Sequence, residues 1–261
     1  MFNAYEFTFA GESSESYGLH IYDFGGQGQK AVSFGNKANI VETRLVSRVQ
    51  PIHYGVNYHA SPLEFSFVFG SMDEALDRFK MEEISMWLTG RQGYQWLSIH
   101  QPDLEHCEFR CIITQLTPIH HGWLPYAFEA TVRCDCPYAY GLPFARKYTI
   151  CGETEVLFQN ESTCFEYIRP TISFALGDDT DTVRIVNADD GGRVFEINGI
   201  HPCTDFDVDC NTGIIAAADG KNLYTGFNMN FPRFVHGDNH LTVVGDGTMT
   251  ITGRFLHNVA G

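Results

Sequence analysis

The chain is short of positive charge. Lys plus Arg number 17 against 32 Asp plus Glu, a formal charge of −15 over 261 residues. No run of Lys or Arg interrupts this balance. That argues against a general nucleic-acid binder, which needs a basic footprint to displace counterions from phosphate. The same sign disfavours an anionic membrane surface. No segment approaches 18 consecutive apolar residues, so no bilayer-spanning helix is expected. The opening MFNAYEFTFAGESSESYG has no basic stretch followed by an apolar one, so no secretory signal is expected either. Folding in a cytosol follows as an expectation, and there the eight cysteines stay thiols.

Helical periodicity is scarce as well. Its one strong instance is SMDEALDRFKMEEISMWLTG, which predicts a helix over about 72–89. Ser71 with Glu74 reads as a capping box, and Gly90 as a C-cap.

What the chain has in quantity is aromatic and alternating sequence: 21 Phe and 12 Tyr, at home on half-buried pleated surfaces. Phe2, Ala4, Phe7 and Phe9 lead to a turn at Gly11, and Leu19 and Ile21 follow. Residues 39–50 are rich in β-branched side chains. In SPLEFSFVFG, Leu63, Phe65, Phe67 and Phe69 share one face at period two. After the helix come strands in YQWLSIH, FRCIITQLTPI and YAFEATVRCDC, with turns expected at Pro102, Pro118, Gly122 and Pro125. CPYAYGLPFARKY breaks the alternation and predicts a linker. Beyond it, turn signals such as Asp190-Gly191-Gly192, Asn198-Gly199, Asn211-Thr212-Gly213, Asp219-Gly220 and Asp246-Gly247 recur at the spacing of a β-sandwich. LTVVGD and GTMTITGRF read as its final two strands. The first part therefore reads as α+β or as β with one helix, and the fold class adopted is mainly β: a β-barrel-like domain with one α-helix over 1–146, then a β-sandwich over 147–261.

Catalytic and metal-binding patterns do not assemble. There is no G-x-S-x-G elbow, and Gly25-Gly26-Gln27-Gly28 lacks the Lys-Ser/Thr of a phosphate loop. Glu82 and Glu83 are adjacent on a helix and do not face each other; Glu105 and Glu108 suggest nothing more specific. Asp205, Asp207 and Asp209 resemble the start of a calcium loop, but Cys210 and Ala216 stand where Gly and Glu are required. They read more simply as the wet face of a strand whose dry face is Phe206 and Val208.

Cys107 with Cys111, Cys134 with Cys136, and the nearby His100, His106, His120 and His121 raise structural zinc. Cys151, Cys164, Cys203 and Cys210 raise an iron–sulfur cluster. Neither set has a compact motif, and buried free thiols are common. No catalytic residue, cofactor or metal is assigned. Tyr224, Phe227, Phe231 and Phe234 could form a sugar-binding platform, or could plug the sandwich core.

The order of four features resembles the distal tail proteins of long-tailed siphophages, the phage tail component or baseplate hub family. They are Phe7, Phe9, Gly11 and Ser14 followed by Gly18-Leu19-His20-Ile21; the strand–helix unit SPLEFSFVFGSMDEALDRFKMEEISMWLTG before QWLSI; YAFEATVRCDCPYAYG; and the ending FDVDCNTGIIAAADGKNLYTGFNMNFPRFVHGDNHLTVVGDGTMTITGRF. The segment Ala31 to Tyr58 is longer and more polar than that pattern. The resemblance implies a non-enzymatic virion protein, a homo-hexameric ring at the tail tip. It implies contacts with the tail tube protein above and the tip or hub protein below. A galectin-like outer domain would carry receptor-binding proteins or bind host saccharide. DNA would pass through the channel without specific binding, and assembly would occur in the bacterial host cytoplasm with no membrane insertion. The alternative from the residues alone is a carbohydrate-binding module recognising host cell-surface saccharide.

Overall fold

Period-two alternation organises the first strands of the computed structural model, which describes residues 5–22, 39–57, 62–71, 74–203 and 205–259. β1 (Phe7–Phe9), β2 (Glu12–Ser13) and β3 (His20–Tyr22) open the chain, with a 3-10 turn over Ser14–Tyr17 between the last two. β4 (Asn39–Thr43) and β5 (Ile52–Asn57) follow, then β6 (Glu64–Gly70), α1 (Arg78–Thr89), β7 (Gln95–Ile99), β8 (Cys107–His121), β9 (Leu124–Cys134) and β10 (Ala139–Gly141). Phe2, Ala4 and the Gly25–Gly28 stretch lie outside the described residues, as do Ala31 to Ala38 and Tyr58. The chain divides into two units, Met1–Tyr140 with Asn258–Gly261 and Gly141–His257.

In the first unit the strands run in the order β2-β1-β7-β8-β9-β6-β3, with antiparallel pairings. The two ends of that order approach each other: the Ile21 N–H donates to the Tyr5 carbonyl at 2.9 Å. The sheet is thus barrel-like. Its interior is the alternate set predicted by period two, with Phe7, Phe9, Phe67, Phe69, Leu97, Ile99, Phe109, Ile113 and Val132 all buried.

α1 presses Ile84, Trp87 and Leu88 into the same core. Trp87 stacks on Tyr17 at 4.3 Å and on Phe7 at 5.6 Å, and its indole N–H donates to the Phe9 carbonyl at 3.2 Å. A buried tryptophan needs such a partner for its one polar atom.

The helix begins later than the sequence suggests. Asp77 is its N-cap, with the side chain accepting from the Lys80 amide at 2.8 Å. Ser71 does accept from the Glu74 amide, at 3.4 Å, but that contact belongs to a turn ahead of the helix. Met72 and Asp73 are outside the described residues. Gly90 ends α1 in the right-handed region, its N–H on the Met86 carbonyl, rather than in a left-handed cap. Pro118 and Pro125 sit within β8 and β9, and the turn falls between them at Gly122, φ +65°. β7 pairs with β8 over Phe109–Cys111, short of Pro118; a proline, lacking an N–H, is placed in a sheet at an edge or a bulge.

The second unit contains β11 (Phe144–Asn160), β12 (Thr171–Leu176), β13 (Thr182–Asn187), β14 (Arg193–Asn198), β15 (Asp205–Asp209), β16 (Ile214–Ala217) and β17 (Gly237–Gly253), with β18 (Leu256–His257) after them. β11 and β17 pair along their whole length, from Phe144↔Gly253 to Asn160↔Gly237. Of the residues read as a linker, Ala139–Gly141 form β10 and Phe144–Tyr148 begin β11, and the division between the two units falls among them, after Tyr140. LTVVGD and GTMTITGRF are likewise one strand, β17. Its bend lies at Gly245 and Gly247, with φ +149° and +138°. On one side of the bend β17 pairs with β13, on the other with β12.

The bent ribbon thereby contributes to two layers, one continuing to β14 and the other to β15 and β16. Between them lies a single core that includes Phe174, Phe195, Phe206, Val183 and Ile251. Phe174 stacks on Phe195 with centroids 6.4 Å apart. Beyond β17 the chain rejoins the first unit, where Val259 packs on that unit's core.

Candidate functional surfaces

The outward face of the β11-β17-β12-β15-β16 layer has an ordered chemistry. Register places Lys147, Thr250, Ser173, Asp207 and Ala216 in one line across five strands, each the cross-strand partner of the next. Period two repeats the types along each strand. β17 shows Thr248, Thr250 and Thr252; β12 shows Thr171, Ser173 and Ala175; β15 shows Asp205, Asp207 and Asp209. The small side chains leave a groove of about 440 Å³, with Lys147 and the carboxylates of Asp205 and Asp207 along it. Hydroxyls, carboxylates and one ammonium suit a hydroxyl-rich ligand. At the end of the ladder, burial alone would raise the Asp209 carboxyl. Donors from the Thr212 hydroxyl and amide and the Asn211 amide outweigh it and hold the group below the usual carboxylate range.

Of the two readings of Tyr224, Phe227, Phe231 and Phe234, packing in the sandwich core is the one that holds for most of them. Phe227 and Phe234 are buried in the sandwich core, and Phe231 packs against it. The Tyr224 hydroxyl accepts from the Ile215 amide at 2.8 Å and donates to the Gly213 carbonyl at 3.2 Å. This ring is a clamp on the β16 turn.

The cysteines behave as core residues. Cys111 and Cys134 are cross-strand partners inside the barrel, and burial pushes the Cys111 thiol up to about 12 and Cys134 up as well. Both stay protonated at neutral pH in the metal-free chain. Cys210, on the second unit, is pushed up to about 12 by burial, whereas Cys151 is exposed at the corner of the bent ribbon. Of the nearby histidines, His100 meets the Thr8 hydroxyl at 2.9 Å, and His120 and His121 lie near the β8–β9 tip.

The acidic pairs are ordinary: Glu82 takes the Arg78 guanidinium at 2.9 Å, and Glu108 accepts from Ser98 at 3.0 Å. Asp205 and Asp207 point outward while Phe206 and Val208 are buried, as period two requires.

Two exposed features escaped the sequence reading. Trp123 stands 97% exposed at the tip of the β8–β9 hairpin. β4 and β5 form a separate two-stranded sheet with Ile40, Val41 and Tyr54 exposed on it and Val46 and Val49 fully exposed in the connection. The β-branched run of residues 39–50 is the only signal that pointed there.

The described residues thus form a barrel-like unit followed by a sandwich. The family comparison agrees. Residues 2–136 match the phage tail protein N-terminal domain and residues 138–253 the phage tail C-terminal domain. The chain belongs to this phage tail protein family. Among solved structures it is similar to the Dit (gp 19.1) protein of phage SPP1, described as a paradigm of the hub adsorption apparatus in phages infecting Gram-positive hosts. That similarity has a TM-score of 0.70 at 14% identity and spans 97% of this chain and 100% of that one. A chain of the phage p2 baseplate, in its activated conformation, is similar at a TM-score of 0.52 and 8% identity over 95% of this chain and 97% of that one. No curated protein matches the sequence.

Proposed function

We propose that this chain is a structural subunit of the distal end of a phage tail. The observation that carries the reading is the near full-length fold match to the SPP1 hub protein, together with the two family domains in the same order. In this reading the first unit closes a homo-hexameric ring, and the second, a galectin-like sandwich, faces outward. The ring joins the tail tube protein to the tip or hub protein, and receptor-binding proteins dock on the outer units. The subunit works in the virion tail tip, is assembled in the bacterial host cytoplasm and catalyses no reaction. The formal charge of −15 suits a channel that DNA traverses, because repulsion keeps the duplex from adhering.

Mass measurement by light scattering, with negative-stain imaging of the purified full chain, tests this. Six-fold rings, alone or on added tail tube protein, are expected. A chain that stays monomeric in the presence of tube protein would overturn the reading.

A second reading, recognition of host saccharide by the sandwich, is favoured by the groove beside Lys147, Ser173, Asp205 and Asp207. Glycan-array binding lost in Asp207→Ala, and unchanged in Tyr224→Phe, would support it. Absence of selective binding would remove it.

A further inference from the structure

Cys111 and Cys134 are the one pair of cysteines that register sets opposite each other among the described residues. Cys111 lies in β8 and Cys134 ends β9, and they are 0% and 1% exposed in the core of the first unit. Buried thiols by themselves are ordinary core filler. The backbone around this pair gives it a further property.

An antiparallel ladder alternates hydrogen-bonded and non-hydrogen-bonded pairs of opposed residues. The Asp135 amide donates to the Arg110 carbonyl at 3.0 Å, one residue along on each strand. The Cys134 amide turns away from β8 and donates to the Leu63 carbonyl at 2.9 Å. Cys111 and Cys134 are therefore a non-hydrogen-bonded pair. The Cα atoms of such a pair lie about 4.5 Å apart, and its side chains stand closest. A disulfide needs Cα atoms about 4.4–6.8 Å apart with the two side chains directed at each other. This pair meets both conditions.

The neighbouring thiols do not. Cys107 is four residues before Cys111 on the same strand, about 13 Å away at the rise of a strand. Cys136 directs its Sγ to the Tyr138 carbonyl at 3.2 Å. The position of the pair also matters. From Cys111 the chain runs along β8, through the tip at Trp123 and back along β9 to Cys134. Between root and tip the ladder shifts register twice, at Ile113/Gln115 and at Ile119/His120. A bond at the root staples the two strands below both irregularities.

We propose that Cys111 and Cys134 are a latent cross-strand disulfide, reduced where the chain is made and closed in an oxidising medium. Exchange with a small external disulfide, such as oxidised glutathione, forms it. The Cys134 thiolate attacks one sulfur of that disulfide and expels a glutathione thiolate. The Cys111 thiolate then attacks the Cys134 sulfur of the mixed disulfide and expels the second. The protons of the two protein thiols end on the two glutathione thiols, so one disulfide forms and one is reduced. Burial disfavours both thiolates, so exchange is fast only while the chain folds or the end of β9 opens. The timing rests on the virion reading above, because a cytosol is reducing and the surroundings of a released particle are oxidising. The geometry of the pair is independent of it.

The reduced full chain is refolded from urea into reduced and oxidised glutathione, alkylated and digested with trypsin. Cleavage after Arg110, Arg133 and Arg146 puts Cys111 in peptide 111–133, and Cys134 with Cys136 in peptide 134–146. A disulfide joining these two peptides is expected, kept in Cys136→Ser and lost in Cys134→Ala. Oxidised and reduced forms of the unaltered chain are then compared in urea by tryptophan fluorescence, which requires no variant to fold. Closing a loop of this length should lower the unfolding constant of the first unit at least about 100-fold, and dithiothreitol should reverse the change.

Peptides that stay separate and alkylated, or a link that survives Cys134→Ala, would overturn the assignment. An unfolding constant equal in the two redox states would overturn the staple. Rings assembled in oxidising buffer with both thiols free would sink the disulfide alone. A chain that closes the bond but never forms rings, with or without tube protein, would sink the virion reading alone.

Discussion

Gly247 is where the bent ribbon of the sandwich is most exacting. A Cβ there would lie 2.3 Å from the Ala175 carbonyl oxygen and 2.7 Å from the Leu176 Cα, both backbone atoms of β12. The residue also holds φ +138°, a region that L side chains rarely adopt. Gly245 is the natural control. Its φ is +149°, but the nearest atom to an added Cβ is a Val183 methyl at 3.5 Å, an ordinary contact.

Gly245→Ala therefore carries the conformational strain alone, about 1–3 kcal/mol. Gly247→Ala adds displacement of β12 from its ladder with β17. Overpacking of that kind costs about 1–3 kcal/mol more. The expected order is Gly247→Ala below Gly245→Ala by about 2 kcal/mol.

Urea unfolding followed by far-UV circular dichroism measures the difference. Trp87, Trp96 and Trp123 all lie in the first unit, so tryptophan fluorescence supplies an internal reference for that unit. Equal losses in the two variants, within about 0.5 kcal/mol, would refute the argument that backbone proximity of β12 decides the bend.

Other consequences follow from particular contacts. Tyr17 donates to Glu12 at 2.6 Å, and that hydrogen bond, with burial, raises its phenol to about 12. Its folded pKa is above the unfolded value of 10.0, so the stability it contributes is intact below pH 10 and is lost as pH rises toward 12. A phenolate titration at 295 nm should show that loss of first-unit stability, and Tyr17→Phe should flatten it. Thiol labelling at pH 8 should modify exposed Cys151 first, with Cys111, Cys134 and Cys210 reacting only on unfolding; fast labelling of Cys111 in the folded chain would contradict its placement. Arg233 forks onto Asp190 at 2.8 and 3.0 Å and lies 4.1 Å over the Tyr167 ring. Asp190 is 6% exposed, so Arg233→Ala strands a carboxylate, and the second unit should lose about 2–4 kcal/mol in urea unfolding.

Alternation was the legible part of this chain. Phe65 to Phe69 and Phe206 with Val208 declare their faces because a strand has only two, and side-chain polarity labels them. The helix was legible in its body, through Ile84, Trp87 and Leu88 at helical spacing, but not at its start. Ser71 and Asp77 are both competent caps, and which one begins α1 depends on where the chain leaves β6.

Glycine misled in one place. Asp246-Gly247 has the composition of a turn, yet β17 runs through it, because β11 supports the strand on its far side along the full length. Local composition says that the backbone can bend there, and only partner strands say whether it reverses or continues.

The candidate surfaces divide the same way. Three aspartates at period two are visible in DFDVD, and three threonines in TMTIT, but nothing in either segment says that a column of Thr, Ser and Ala lies between them. Register across strands distant in sequence decides that, and with it the groove. The aromatics of LYTGFNMNFPRF could serve a ligand or the core as far as the sequence goes, and most of them fill the sandwich core, since burial is a property of the layers around a residue.

By itself, then, the sequence determined the acidic balance, the mainly β character and the inner face of each clear strand, all of which follow from local side-chain chemistry. The tertiary structure alone decided the barrel-like curl, the bend that spreads β17 over two layers and the bareness of the β4–β5 hairpin. Each of these depends on which distant segments supply hydrogen bonds and cover, and a one-dimensional pattern does not contain that information.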